Sequence, residues 1–490
     1  MSSNVEAVFE EGKKVYATNS RDSGTSESIA ALPEAMQQTT KYSSETPLLI
    51  LDNESEHDIQ YRTCSWVHTS GLMLSEYIVL AIMSFPWSYS VLGIVPGIIL
   101  TLFVASTVLY TGLTIIDYCE RFPHLKNVCD IGQHLFWGQK WAWYATLVCF
   151  LANNTLIQGL HVLVGAKYLN TVTDHSLCTV KFGVIVACIS FVVSVPRTFS
   201  SLSKVAYFSA ATMFIAVVLA MIFAGVQDHP YGYDGTPVTF RAFPEKGTTF
   251  VQGMGAFLNI VYTFVGQITY PQFISEMQRP AEFRKVLYIV TACEIVIFTL
   301  AGVIIYVYVG NEYMTAPAFG SLTRTFKIIA FSFAVPTIIF AGSLYSNVSG
   351  RLLFFTFFKR SKHLYSHTTV GWLTWIGILA LTWVGAFIIA EVVPFFSDLL
   401  SLMSSLFDCW FGFVFWGMAY FKLKEAKYQN PRYYSQLSAS EKFHFFIAIF
   451  MIAVGLFILG PGLYAAIDSI ILNYQDDAYG TVFSCASNGT

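Results

Sequence analysis

Charge is scarce in this chain. Of its 490 residues 12% are Asp, Glu, Lys or Arg, while 54% are hydrophobic and 16% aromatic, and the mean hydropathy is +0.55. So little charge cannot clothe a soluble enzyme of this length. The net charge of −3 leaves no basic excess, and no nucleic-acid partner is expected. Catalytic signatures are missing as well: there is no G-x-S-x-G, no H-E-x-x-H and no P-loop. His229 and Asp234 match an H-x4-D spacing, but with ten histidines one chance match is expected. No cofactor and no metal site are expected. The nine cysteines are too few for a disulfide framework. A cleavable leader is not expected either, because the first long apolar run begins near residue 67 without a charged n-region or a small-residue cleavage pattern. The first helix is then expected to act as the insertion signal.

Long apolar stretches are what the chain has instead. Spanning the hydrocarbon core takes about 20 apolar residues, and eleven such segments recur at 67–91, 95–117, 141–165, 181–196, 204–226, 251–271, 285–309, 326–350, 371–390, 394–420 and 443–472. The expected fold class is an all-α polytopic membrane protein with 11 transmembrane helices, whose surroundings are the lipid bilayer. Residues 1–65 are polar, with eleven acidic residues against five basic ones. They cannot bury a core and read as a disordered cytosolic tail, while 473–490 read as a short tail on the other side. Basic residues orient the chain, since Lys and Arg are held back in the cytosol during insertion. With the N-terminus inside, 22 of the 28 fall on the cytosolic side, and only Lys167, Lys181, Arg241, Lys246, Arg324 and Lys327 lie outside. An even number of spans would spoil that asymmetry.

Two segments are interrupted at matching places. The first, residues 77–93, breaks around Ser84, Phe85 and Pro86; the second, residues 257–277, breaks around Gly266, Gln267 and Pro271. A broken helix at membrane depth leaves N–H and C=O groups unpaired and survives only where it lines a cavity. The breaks are therefore the expected ligand site of a transporter. Segments one to five (67–226) and six to ten (251–420) each open with a broken helix. Five spans per half make the second half insert upside down, the LeuT-like 5+5 inverted repeat. The eleventh segment is an extra helix outside it.

Topology sorts the cysteines. Only Cys178, in an outer loop, and Cys485, in the outer tail, face an oxidising compartment, and the two are expected to form a disulfide, the alternative being two free thiols. Glycosylation patterns at Asn53, Asn153 and Asn347 fall in cytosol or membrane, and Asn488 sits at the extreme C-terminus.

Four strings in order then resemble a known family, the amino acid/auxin permeases, and within it the fungal neutral amino acid permeases. They are Cys129-Asp130-Ile131-Gly132, Gly266-Gln267-Ile268-Thr269-Tyr270-Pro271, Ser275-Glu276-Met277-Gln278-Arg279-Pro280, and Val393-Pro394-Phe395-Phe396-Ser397-Asp398-Leu399-Leu400. The resemblance runs from about Val67 onward. It implies secondary active transport of neutral, bulky aliphatic or aromatic amino acids, mostly by proton symport. Three places depart from the family's pattern. Ala81-Ile82-Met83-Ser84-Phe85-Pro86 stands where a glycine usually precedes Leu-Pro, and its added Cβ atoms narrow the approach to the backbone. Trp416-Gly417 stands where a proline is common, and Asp408 is unusual in mid-span.

A zwitterionic substrate wants N–H groups for its carboxylate and carbonyls for its ammonium. Ala81, Ile82, Met83 and Ser84 are expected to supply the first, and Thr263 to Gly266 the second. Tyr262, Phe264 and Gln267 would select the side chain. Asn154, Gln158 and His161 share one helical face that either lines the pathway or joins helices. For coupling, mid-membrane carboxylates are functional hypotheses by default. Glu76, Glu294, Asp408 and Glu391 are the candidates, with Glu76 preferred for a proton. Sodium is the rival ion, with Ser343, Ser346, Asn347 and Gly350 as a hydroxyl- and amide-bearing face of the eighth segment. A receptor that binds an amino acid without moving it would use the same pocket. The plasma membrane is the expected location, the vacuolar membrane fitting the same topology.

Overall fold

The computed structural model describes residues 62–488, apart from 126, 198, 360, 365, 431 and 476–481. The expected tail thus lies outside the described residues up to position 61, with Asn53, as do Lys126 and Arg360 of the charge pattern. The described chain is helical, and no strand occurs among the described residues. In order the helices are α1 (Trp66–Tyr77), α2 (Phe85–Leu92), α3 (Ile94–Arg121), α4 (Val128–Leu135), α5 (Lys140–Thr173), α6 (Thr179–Val193), α7 (Phe199–Val226), α8 (Phe250–Phe264), α9 (Tyr270–Glu276), α10 (Phe283–Val309), α11 (Arg324–Phe357) and α12 (Thr369–Val392). Two longer helices follow, each carrying widened π turns. The first runs as α13 (Phe396–Met403), π turns over Ser404–Val414, and α14 (Phe415–Tyr428); the second as α15 (Ala439–Phe457), π turns over Ile458–Gly462, and α16 (Leu463–Gln475).

Every expected apolar segment overlaps helix, the first and sixth each running across a break into a second helix. Among the described residues nine helices are long and apolar enough to cross a membrane by length and composition, taking α1–α2, α13–α14 and α15–α16 as one each. Two further apolar helices, α6 and α8, are shorter. The α1–α2 stretch is 89% buried in its apolar window and α13–α14 83%, against 22% for α15–α16. The interrupted helix and the π-bearing α13–α14 are therefore the centre of the bundle, and the last helix is its rim.

Proline explains where the interruptions fall. Its ring collides with the carbonyl four residues back and it has no N–H to donate, yet it is tolerated in a helix's first turn. Pro86 and Pro271 each occupy the first turn of a new helix, α2 and α9, so the chain unwinds just before them. The first break runs from Ile78 through extended Val79 and one tight turn at Leu80–Ser84. The second runs from Val265 to Thr269. This moves the first break toward the N-terminus: Phe85 and Pro86 begin the new helix rather than mark the gap.

Between helices in lipid, close packing replaces the hydrophobic effect, and small residues permit it. Gly417 of α14 meets α15 so closely that a Cβ would stand 2.7 Å from the Ala448 carbonyl oxygen, which accounts for glycine beside Trp416. Gly455 of α15 is equally confined, 2.6 Å from Val414 and 2.7 Å from the Cys409 carbonyl oxygen. Gly455→Val is expected to cost about 1–3 kcal/mol by overpacking. A lowered melting temperature of the detergent-solubilised protein checks it; an unchanged one rules it out.

Outside the helices, the loops after α7 and α10 are tied together. Asp234 accepts from the Thr236 N–H (2.9 Å) and the Tyr313 hydroxyl (2.7 Å), which hold its carboxyl down at about 2. His229 stacks on Tyr233 at 4.0 Å. The H-x4-D pair is thus occupied by loop contacts. At the far end of the chain Cys178 and Cys485 are joined by a disulfide. The tail it tethers is pinned further by Asn170, whose Nδ2 donates to the Asn488 Oδ1 (2.7 Å), and by Thr179, whose hydroxyl donates to the Ala486 carbonyl (2.6 Å).

Candidate functional site

The two breaks converge on Glu76. It lies in the last turn of α1, 5% exposed, and its carboxylate accepts from the Tyr345 hydroxyl of α11 at 2.6 Å and from the Thr269 hydroxyl of the second break at 3.0 and 3.3 Å. One residue on, the Tyr77 and Tyr270 hydroxyls are hydrogen-bonded to each other, linking α1 to the start of α9. A Cβ at Gly266 would stand 2.3 Å from the Tyr77 hydroxyl oxygen, so no side chain fits there. Phe85, Phe264 and Phe298 form a buried triangle with centroid separations of 5.0 to 6.1 Å, packing the start of α2 and the end of α8 on α10.

A narrow cavity opens at this crossing, lined on one side by Glu76, Val79, Leu80 and Ala81 and on the other by Tyr262, Thr263, Val265 and Ile268. α5 contributes Asn153, Ile157, Leu160, His161 and Val164, α11 Tyr345, and the π turns Asp408. Among the described residues no Lys or Arg lines it.

Of the residues expected from sequence, Glu76, Ala81, Tyr262, Thr263 and His161 meet at this cavity, and so does Asp408. Ile82, Met83 and Ser84 do not line it; they are buried in the tight turn, where the Ser84 hydroxyl donates to the Ala81 carbonyl at 2.7 Å. Phe264 is withdrawn into the aromatic triangle, and Gln267 donates through Nε2 to the Thr111 hydroxyl at 3.0 Å, away from the cavity. The polar face of α5 divides. Asn154 donates to the Ser349 hydroxyl of α11 (2.9 Å) and Gln158 to the Asn154 carbonyl of its own helix (3.1 Å), so both serve packing. The cavity face lies one residue earlier, from Asn153.

The sodium face is placed elsewhere too. The Ser343 hydroxyl donates to the Ser190 carbonyl of α6 (2.8 Å), Ser346 is paired with Thr382 of α12 (3.0 Å), and Asn347 donates to the Ser194 and Pro196 carbonyls after α6. Gly350 packs on Leu379 and Trp375 of α12. The two serine oxygens turn to α6 and α12 and the Asn347 Oδ1 has no hydrogen-bond partner, whereas the face of α11 turned to α1 carries Tyr345. Glu391 lies at a separate cavity, with Val162, Thr179 and the tail residues Phe483 and Asn488. Glu294 is buried in α10, its Oε1 without a hydrogen-bond partner, within electrostatic range of Glu76, Tyr77 and Tyr270.

Sequence reasoning missed Tyr345, Thr269, Tyr77 and Asn153. Tyr345 carried a signal: it is the one aromatic inside the small and polar run Gly342 to Gly350. Thr269 sat in plain view between Gln267 and Pro271, in the gap itself.

Comparison with known proteins fits this geometry. A family profile described as "Transmembrane amino acid transporter protein" matches residues 62–460. The chain is similar to the "N amino acid transport system protein" of Neurospora crassa, 29% identical over 445 residues covering 89% of this chain and 92% of that protein. It is also similar to proteins named "Transmembrane transporter" in Gibberella moniliformis and Fusarium pseudograminearum, at 26% and 27% identity over 89% of this chain and 90% of each of theirs.

Proposed function

Because this chain belongs to the transmembrane amino acid transporter family, we propose that it moves neutral amino acids across a membrane by alternating access, as a proton symporter. The carrying observation is Glu76, which joins both breaks and α11 through two hydroxyl donors and faces the cavity with no Lys or Arg lining it among the described residues. A buried carboxylate with only neutral donors is costly as an anion, and a proton removes that cost. Loading a proton there eases closure of α1 and of the second break over substrate. The substrate's carboxylate and ammonium meet the backbone of Val79–Ala81 and Thr263–Val265, with Tyr262 shaping the side-chain end.

Eleven spans in a LeuT-like inverted repeat, α6 and α8 included, agree with the two proline-initiated breaks and with the peripheral place of α15–α16. That count and the 22 basic residues assigned inside support a cytosolic N-terminus and a disulfide-tethered tail on the far side of the membrane, and our reading takes that membrane to be the plasma membrane, the vacuolar membrane fitting the same topology. Sodium is the less favoured ion in this reading, because the Ser343 and Ser346 hydroxyls are engaged by α6 and α12, leaving Asn347 Oδ1 alone of the three side-chain oxygens without a partner.

The test is uptake of labelled neutral amino acids into proteoliposomes under an imposed pH gradient, against a sodium gradient of equal size. Accumulation that follows the pH gradient and collapses with a protonophore supports the reading. Dependence on sodium alone sinks the proton, and binding without flux under either gradient favours a receptor.

A further inference from the structure

One acid in the cavity has no place in that scheme. Asp408 lies in the π turns between α13 and α14, 6% exposed, and lines the cavity within electrostatic range of Tyr262 and Tyr345. Its Oδ2 has no hydrogen-bond partner. The Ser404 hydroxyl, four residues earlier, is likewise buried without a hydrogen-bond partner. π turns leave helix geometry locally irregular and recur at functional sites. A buried acceptor left unpaired costs free energy that a ligand's donor can recover. Glu76 is already engaged by Tyr345 and Thr269, and Glu294 does not line the cavity. Asp408 is therefore the acid whose free acceptor awaits a donor from the cavity's occupant. The side-chain donors that share the cavity, on Asn153, His161, Tyr262 and Tyr345, leave Oδ2 without a partner, and a donor on the cavity's occupant would fill that place.

We propose that Asp408 is the specificity-determining residue of this cavity, its free carboxylate oxygen accepting from an N–H group at the end of the substrate's side chain. This rests on the reading that the cavity carries an amino acid, and it narrows the substrates to those with nitrogen-bearing side chains. A site built to hydrogen-bond a substrate group rejects the analogue that lacks it, whereas an apolar pocket discriminates weakly between near-isosteres.

The test uses two near-isosteric pairs, glutamine against methionine and asparagine against leucine, as competitors and as labelled substrates in proteoliposomes of the full-length protein. In the unaltered protein glutamine and asparagine compete at concentrations at least about 10-fold lower than their apolar partners. Asp408→Leu brings both ratios to one or inverts them, and Asp408→Asn, which keeps an acceptor oxygen, retains most of the preference. Ratios unchanged in Asp408→Leu overturn the proposal. Equal loss of all four amino acids overturns it too, assigning Asp408 to the shared α-ammonium. Unchanged ratios with loss of the pH-gradient response overturn it in favour of coupling. Should Asp408→Leu fail to fold, the unaltered protein decides alone: glutamine must raise its melting temperature more than methionine at equal concentration, and equal shifts overturn the proposal. No uptake of or stabilisation by any amino acid overturns the carrier reading itself, an outcome separate from lost selectivity.

Discussion

Glu76→Gln is expected to abolish accumulation driven by a pH gradient while leaving exchange of substrate across the membrane intact. Glutamine is nearly isosteric, and its amide oxygen still accepts from Tyr345 and Thr269, so the contacts that join α1, the second break and α11 persist. What it cannot do is release a proton. One charge moving down about 100 mV supplies about 2.3 kcal/mol, enough for roughly 50-fold accumulation of a neutral substrate. The variant's accumulation ratio should fall to about one, while counterflow, in which internal unlabelled substrate draws in label, continues near its usual rate. Proteoliposomes with a valinomycin-clamped potential and an imposed pH step read both quantities. Persistent accumulation in Glu76→Gln would remove Glu76 as the proton carrier and move attention to Glu294, the other buried acid in range of the tyrosine pair. Loss of both accumulation and counterflow would instead mark Glu76 as a binding residue.

Much of this site was legible before any coordinates. Interrupted apolar runs ending in proline announced both breaks, because the consequences of proline in a helix are local and do not depend on the fold. Glu76 was legible for a similar reason: a carboxylate one turn from a break has few reasons to be there. What could not be read was direction. On α5 the polar residues Asn154 and Gln158 marked a face, but lipid-embedded helices also use amides to join one another, and the cavity took Asn153, Ile157 and Val164 instead. The same ambiguity holds for Ser343, Ser346 and Asn347: the Ser343 hydroxyl and the Asn347 amide donate to carbonyls around Ser190 to Pro196, and the Ser346 hydroxyl pairs with Thr382. Phe264 shows a third limit. Next to Tyr262 in sequence it reads as cavity wall, but two residues on a helix differ by about 200° in direction, and the farther one joined Phe85 and Phe298. The π turns that aim Asp408 inward have no sequence signature in a single chain.

Arg351→Met is expected to be the most destabilising substitution among the charged residues named here. Arg351, on α11, and Glu276, the last residue of α9, form an ion pair whose side chains are 2% and 5% exposed. Taking one member away leaves the other charged and buried, a loss of about 3–5 kcal/mol, whereas replacing both with apolar residues of similar volume is often nearly neutral. Arg351→Met and Glu276→Leu should each lower stability by that order, and the double variant should recover most of it. Such non-additivity is the mark of direct coupling. Beside the pair the chain ahead of α1 is tied to the end of α9: the Cys64 N–H donates to the Glu276 carbonyl at 3.1 Å, and the Gln278 N–H donates back to the Cys64 carbonyl at 2.9 Å. Cys64 itself is 2% exposed. Weakening the pair should therefore loosen the entry to α1 and open Cys64 to reagents that cannot reach it now. Maleimide labelling at Cys64, read by mass spectrometry, should rise in Arg351→Met and fall back in the double variant, in parallel with melting temperature. Additive losses in the double variant, or labelling that ignores the pair, would show that α1 is held by something else.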